Sequence, residues 1–498
     1  MALKRYVADA DNTITNAFEG NLKTRGSGSN MGYADALEVF SIYGQLSQSS
    51  GQTQELSRIL MRFPIADISS DRTAGTLPAS GSVSFYLRLH NARHPFTLPQ
   101  DFTLIVNPVS SAWFEGTGLD MDEYKDLGTS NWLETSTTAS WSAVGGDYGT
   151  QEYEQRFPQG YEDMEIDISN LVEKWIAGTF SNYGIGVRLT GSQEAYAAAA
   201  SGSVIANTGG AKQSYYTKKF FARSSEFFYK RPVIEARWDS RTTDNRGNFY
   251  YSSSLAPAVD NMNNLYYYNY IRGKLVNIPS IGTGNFRVKF YSGSTGPTGD
   301  ALSVWTGTTA ATYVTASYVS TGIYSCSVAI TAAATPLKKI YDVWYTGSTD
   351  FFTASFLPSQ ITTYTSAPTF EKVTNITNLR AAYNTNETAR FRLFIRDKNW
   401  SPTLYTVATS KIITEVVTSA SYSIYRVTDD LEVINYGTGS SKCTYLSTDV
   451  TGNYFDLDMS LLEKGYMYGI KLSYYNDSIG SWVEQPGAFK FRVEDKNT

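Results

Sequence analysis

Short strand-like apolar runs recur throughout this chain, and several of them alternate apolar and polar residues. ALEVFSIY (36–43), SVSFYLRLH (82–90), DFTLIVNPV (101–109) and YGIGVRLTG (183–191) are examples, and Gly, Pro, Asn or Ser clusters separate them. RILMRFPI (58–65) is apolar with less alternation. Such runs predict short strands, and their even spacing predicts a sandwich or jelly roll rather than alternating strand–helix units. One stretch departs from this period. In DISNLVEKWIAG (167–178), Leu171, Val172, Trp175 and Ile176 fall on one helical face. Asp167 and Ser169 are suitable N-caps and Gly178 a suitable left-handed C-terminal residue, with Glu173 and Lys174 turned to water. The preceding EDMEIDI (162–168) alternates, so Met164, Ile166 and Ile168 share one strand face and Asp163, Glu165 and Asp167 the other. That acidic face is read as the solvent side of a strand, with a cation site or a catalytic pair as the alternatives.

The segment 189–221 breaks the strand rhythm. Gly202, Gly209 and Gly210 favour a long excursion over a helix for its Ala run. RPVIEARW (231–238) then reads as a closing strand before a polar linker. The pattern predicts an all-β chain of three domains: a jelly-roll sandwich with one short helix over 1–240, and immunoglobulin-like sandwiches over 246–360 and 361–498. Both later blocks place a Leu-x-Lys step just before a Tyr-led strand, in TPLKKIYDVWY (335–345) and LLEKGYMYGIKL (461–472). This is the setting in which a Tyr hydroxyl ties a loop to the strand it precedes.

Composition narrows the chemistry. With 37 Tyr and 25 Phe against 8 Met, strands are favoured. A net charge of −5 argues against broad binding to nucleic acid. Cys326 and Cys443 are too few for a disulfide framework and read as small buried residues. The N-terminus lacks the apolar stretch of a signal peptide, and no segment is long enough to span a bilayer, so synthesis in a cytoplasm without membrane insertion is expected.

Residues 1–240 resemble the DNRLRE-type domains, jelly rolls of bacterial surface and phage structural proteins that are similar to carbohydrate-binding modules. The resemblance runs in order through ADADNTI (8–14), SRILMRFPIADI (57–68), SSAWFEGTG (110–118), SWSAVGGDY (140–148), the helix with its following strand, and RPVIEARW. The insertion at 189–221 departs from the compact pattern. The segments over 218–280, and the Ser/Thr/Gly/Tyr-rich style of the remainder, are similar to virion structural proteins of tailed phages. The resemblance implies a structural or adhesive role with no reaction attached, and Trp113 and Trp141 as core positions.

Candidate chemistry is sparse. His90 and His94 have a spacing that suits metal only on a helix, whereas RLHNARHPF leaves a strand, and no G-x-S-x-G elbow surrounds any serine. Asp120 and Asp122 in GLDMDEYKDLG, and Asp9 and Asp11 in ADADN, are candidate calcium ligands. Their loops lack the central Gly and closing Glu of an EF-hand. Trp113, Trp132 and Trp141 are candidate sugar-stacking residues. The expected protein is not an enzyme and needs no cofactor beyond that structural calcium. It is a neck, tail or head-decoration component of a tailed-phage virion, contacting other virion proteins and its own copies. The alternatives are an adhesin that binds a host-surface glycan and, third, a polysaccharide depolymerase.

Overall fold

A computed structural model describes residues 2–43, 54–332, 337, 339–363, 371–401, 404, 414–437 and 441–495. The fold is all-β, with strands through nearly every described segment and two α-helices among the described residues, Ile65–Thr73 and Ser169–Ile176. Two compact units divide the chain, Ala2–Asp239 and Ser240–Thr498.

In the first unit the alternating runs form two sheets. One orders Leu3–Val7, Val233–Arg237, Ser84–Leu89 and Met164–Asp167. The other orders Tyr215–Phe221, Ala36–Tyr43, Gln54–Arg62, Ile185–Leu189, Phe102–Pro108 and Tyr153–Phe157, with Ala10–Thr15 also paired to Gln54–Arg62. The predicted closing strand pairs antiparallel with the opening one, Val233 opposite Val7 and Arg237 opposite Leu3. Phe85, Leu87 and Leu89 are buried in alternation, as are Met164 and Ile166. Gln54–Arg62 lacks that alternation because both of its faces are covered. Leu56 and Leu60 pack with Trp113, Trp132 and Trp141, while Ile59 and Met61, on the opposite pleat, are also fully buried.

The excursion over 190–214 completes that second core. Ser203 O accepts from the Trp132 indole at 2.8 Å, and the Gln54 amide donates to Ala195 O and Ile205 O. The helix at Ser169–Ile176 buries Leu171, Val172 and Trp175, and Gly178 follows at φ +69°. Its N-terminus differs from the expectation. The capping position is Ile168 without a side-chain cap; Ser169 Oγ instead accepts from the Phe85 amide at 2.8 Å. Glu173 is ion-paired to Arg72 at 2.7 Å rather than turned to water. The helix Ile65–Thr73 was not expected, since only Ile65 and Ile68 are buried in it and Ser, Asp and Thr fill its exposed side.

In the second unit, six strands of 263–356 form one antiparallel sheet in the order Asn263–Tyr268, Ile323–Val328, Val314–Ser320, Phe286–Ser292, Ile340–Thr346, Thr349–Phe356, and Tyr270–Ile271 with Lys274–Leu275 and Val304–Trp305 with Ala310–Ala311 form two-stranded sheets. Its apolar face centres on Phe286, Phe290, Tyr324 and Trp344. Residues 372–494 form two sheets. One orders Lys372–Ile376, Thr388–Asp397, Gly452–Asp458 and Ser447–Asp449; the other orders Ala382–Asn384, Phe489–Glu494, Met467–Asn476, Ala420–Arg426 and Leu431–Ile434. Taken in chain order these are A-B-E-D and A′-G-F-C-C′, the arrangement of immunoglobulin-type sandwiches. Tyr422 stacks on Phe455 across the two sheets at 4.1 Å. The predicted tyrosine corner is present at Tyr468, whose hydroxyl donates to Glu463 O at 2.8 Å. In the other block, Tyr251 reaches the loop instead, donating to Leu337 O at 3.3 Å; residues 333–336 and 338 lie outside the described residues.

Candidate functional site

The sequence-nominated tryptophans do not form a binding face. Trp113, Trp132 and Trp141 are each at most 5% exposed, and their indole N–H groups donate to Tyr183 O, Ser203 O and Asn131 O at 2.7–2.8 Å. With ring faces packed and N–H groups satisfied, they stabilise a core and offer no surface to a sugar. This corrects the stacking assignment for all three.

The calcium assignment is corrected as well. Asp120 Oδ1 accepts from the amides of Asp122, Glu123 and Tyr124, closing its own turn, and those bonds hold its carboxyl below the ordinary range. Asp122 accepts from the Gly20 amide, and Asp9 pairs with Arg62 at 3.1 Å. Asp11 is buried, accepts from the Arg223 amide at 2.6 Å, and is pushed up to about 7 by burial. Among the described residues no group of three or more His, Cys, Asp and Glu side chains is placed to hold a metal ion.

The acids of 162–167 are engaged within their own unit. Glu165 pairs with Arg237 at 2.7 Å and with Arg88 at 3.3 Å. Beside it Glu235 is enclosed by Arg5, Arg88 and Arg237; burial opposes its charge, yet the three guanidinium groups hold it well below the usual carboxylate range. Asp167 accepts from the Ser169 amide. Cys326 and Cys443 are buried and form no disulfide.

Asp163 belongs to a different group, and this group builds the candidate site. The strand Ser84–Leu89 ends at His90, and the loop that follows runs beside residues 160–163. His90 Nδ1 lies 2.9 Å from Asp163 Oδ2, and the Asn91 amide donates to Asp163 Oδ1 at 2.7 Å. Burial would raise the Asp163 carboxyl, but these two bonds outweigh it and hold it low. Beneath the loops lies Lys218, fully buried against the rings of Phe157 and Phe220. Its ammonium donates to Asn91 Oδ1 at 2.7 Å, Gly160 O at 3.0 Å and Glu162 O at 2.7 Å. Burial lowers Lys218 to about 8, partly offset by Glu162 and Asp163. His94 Nε2 is 3.1 Å from both Asn91 Oδ1 and Gly160 O, and its Nδ1 is 2.7 Å from Pro95 O. Burial, aided by the Lys218 and Lys219 charges, keeps His94 below its usual value despite these carbonyls.

This polar base carries an aromatic ledge. Phe96 is 67% exposed and Tyr161 41%; their rings meet edge to face at 5.6 Å, and His94 stacks on Tyr161 at 5.9 Å. Together with Asn91, Arg93 and Pro95 they line an open cleft of about 930 Å³. No carboxylate lines it, so the paired acids of glycoside hydrolysis are missing from the cleft. Lys218 is fixed by three acceptors rather than presented as a nucleophile. The arrangement can stack rings and donate hydrogen bonds. Sequence reasoning singled out His90 and His94 but missed Phe96 and Tyr161. The one signal for them was an exposed-side aromatic on each of two loops, and only the fold brings those loops together.

A scan against protein-family models gives no match to this chain, and a search among curated proteins gives none.

Proposed function

We propose that this chain is a non-catalytic structural component of a tailed-phage virion, in a neck, tail or head-decoration position, that acts through surface contacts with other virion proteins and with its own copies. The observation that carries the reading is the engagement of its acid–base chemistry in internal contacts. Both histidines, Asp163 and Lys218 are tied to one another and to backbone carbonyls, and the one cleft they support has no acid pair. The ordered resemblance of residues 1–240 to DNRLRE-type domains, and of later segments to tailed-phage virion proteins, supports the particle. Exposed Tyr and Phe, among them Tyr33, Phe114, Tyr124, Tyr250 and Tyr270, support contact as the mode of action, because such rings give large contact area at low entropic cost.

The Phe96–Tyr161 ledge favours a second reading, an adhesin that recognises a host-surface glycan. The first reading is tested by mass spectrometry of purified particles. Recovery of the chain at a constant ratio to the major head and tail proteins is expected, and its absence from intact particles would end the reading.

A further inference from the structure

We infer that the cleft between residues 91–96 and Tyr161 binds an acidic saccharide, a pyranose ring bearing a carboxylate. This deepens the recognition reading of that ledge and rests on it. The inference comes from what the cleft offers and what it withholds.

Asn91 is the first element. Its Oδ1 faces Lys218 Nζ at 2.7 Å, and an ammonium only donates, so that atom is fixed as the acceptor. The other end of the amide, two N–H donors, is therefore the part of Asn91 that the cleft receives; no described residue accepts from it. Arg93 is the second. It is exposed on the cleft wall, and its guanidinium makes no hydrogen bond or ion pair with any described residue. Phe96 and Tyr161 supply two apolar faces set at 78°, a corner into which a ring with apolar C–H faces can sit.

The lining is thus rich in donors and free of carboxylates, while the adjacent acid, Asp163, has both oxygens engaged by His90 and Asn91. A neutral sugar presents hydroxyl groups that need acceptors as well as donors. A carboxylate on the ring only accepts, so it matches these donors, with Arg93 as its charge-assisted partner and Asn91 as a second donor. Lys218 and His94 act as positioning residues: one orients Asn91, the other backs Tyr161.

The test is calorimetric titration of the full chain with a galacturonate tetrasaccharide and with its carboxyl-reduced neutral counterpart, each repeated on Arg93→Gln and Phe96→Ala. Both substituted side chains are exposed, so thermal melts should match the parent. The uronate is expected to bind at least about tenfold more tightly than its neutral counterpart, as one charge-assisted bond predicts. Arg93→Gln should erase that preference, and Phe96→Ala should weaken binding of both. The inference is overturned if the uronate does not bind, if the two sugars bind equally, if Arg93→Gln keeps the preference, or if a peptide with a free C-terminal carboxylate binds as well as the sugar. Equal binding of the two sugars overturns the uronate inference and leaves glycan recognition by the ledge standing, whereas binding of neither removes both, so the inference and the reading it rests on fail distinguishably.

Discussion

Arg58 and Glu194 show how this chain uses charge. Both side chains are 8% exposed, and they meet through two bonds of 2.9 and 2.8 Å, with a third from Arg58 to Gly145 O and the Trp132 ring at 5.4 Å. A buried guanidinium is tolerated only while paired, so Glu194→Ala is expected to cost the first unit about 3–5 kcal/mol. Denaturant unfolding would check this, and a loss below about 1 kcal/mol would mean that water reaches the pair. Asp11 behaves in the opposite sense. Its folded-state value is raised from 3.8 to about 7, chiefly by burial. The folded state therefore holds a proton that the unfolded state gives up, and the associated stability is present below about pH 4 and lost as the pH rises to 7. Asp11→Asn keeps an oxygen for the Arg223 amide and stays neutral. It should gain on the parent by on the order of 1–3 kcal/mol between pH 4 and pH 8. Melts across that range would check it; a constant difference between the two proteins would refute it.

At the scale of elements, what was legible was what local spacing dictates. The helix of 169–176 follows from the placement of Leu171, Val172 and Trp175, and its end from Gly178. Its true tie at the N-terminus, Ser169 to the Phe85 amide, joins residues 84 positions apart and has no local signature. The helix of 65–73 was missed because two buried isoleucines make too narrow a stripe. Trp113 and Trp141 take the core positions that the resemblance implies, whereas Trp132 carried only the sugar-stacking expectation: indole is as suited to a core as to a sugar face, and only the excursion over 190–214, whose Ser203 O accepts from Trp132, decides between the two. The cleft was illegible because Phe96 and Tyr161 are 65 positions apart and meet through the carbonyls that Lys218 gathers. The tyrosine corner, by contrast, was read correctly from LLEKGYMYGIKL. Tyr468→Phe removes the donor to Glu463 O while keeping the ring, and is expected to cost about 1 kcal/mol by denaturant unfolding. No measurable change would show that the hydroxyl contributes nothing to the corner.

At the scale of the whole molecule, each unit pairs many of its charged side chains internally. The first gathers its arginines and acids on sheet positions such as Arg88, Glu165, Glu235 and Arg237. The second buries the pair of Arg246 with Asp342 at 2.6 Å, beside the Trp344 indole, which donates to the same carboxylate at 2.7 Å. Exposed rings such as Tyr33, Phe96, Phe114 and Tyr124 face outward and offer contact area. The most direct test of the proposed role is a map of the intact particle at a resolution that distinguishes β-sandwich modules. Density for both units of this chain is expected on the outside of the head, neck or tail, repeated with the symmetry of that part. A particle fully accounted for by other proteins, with no density for either unit, would contradict it.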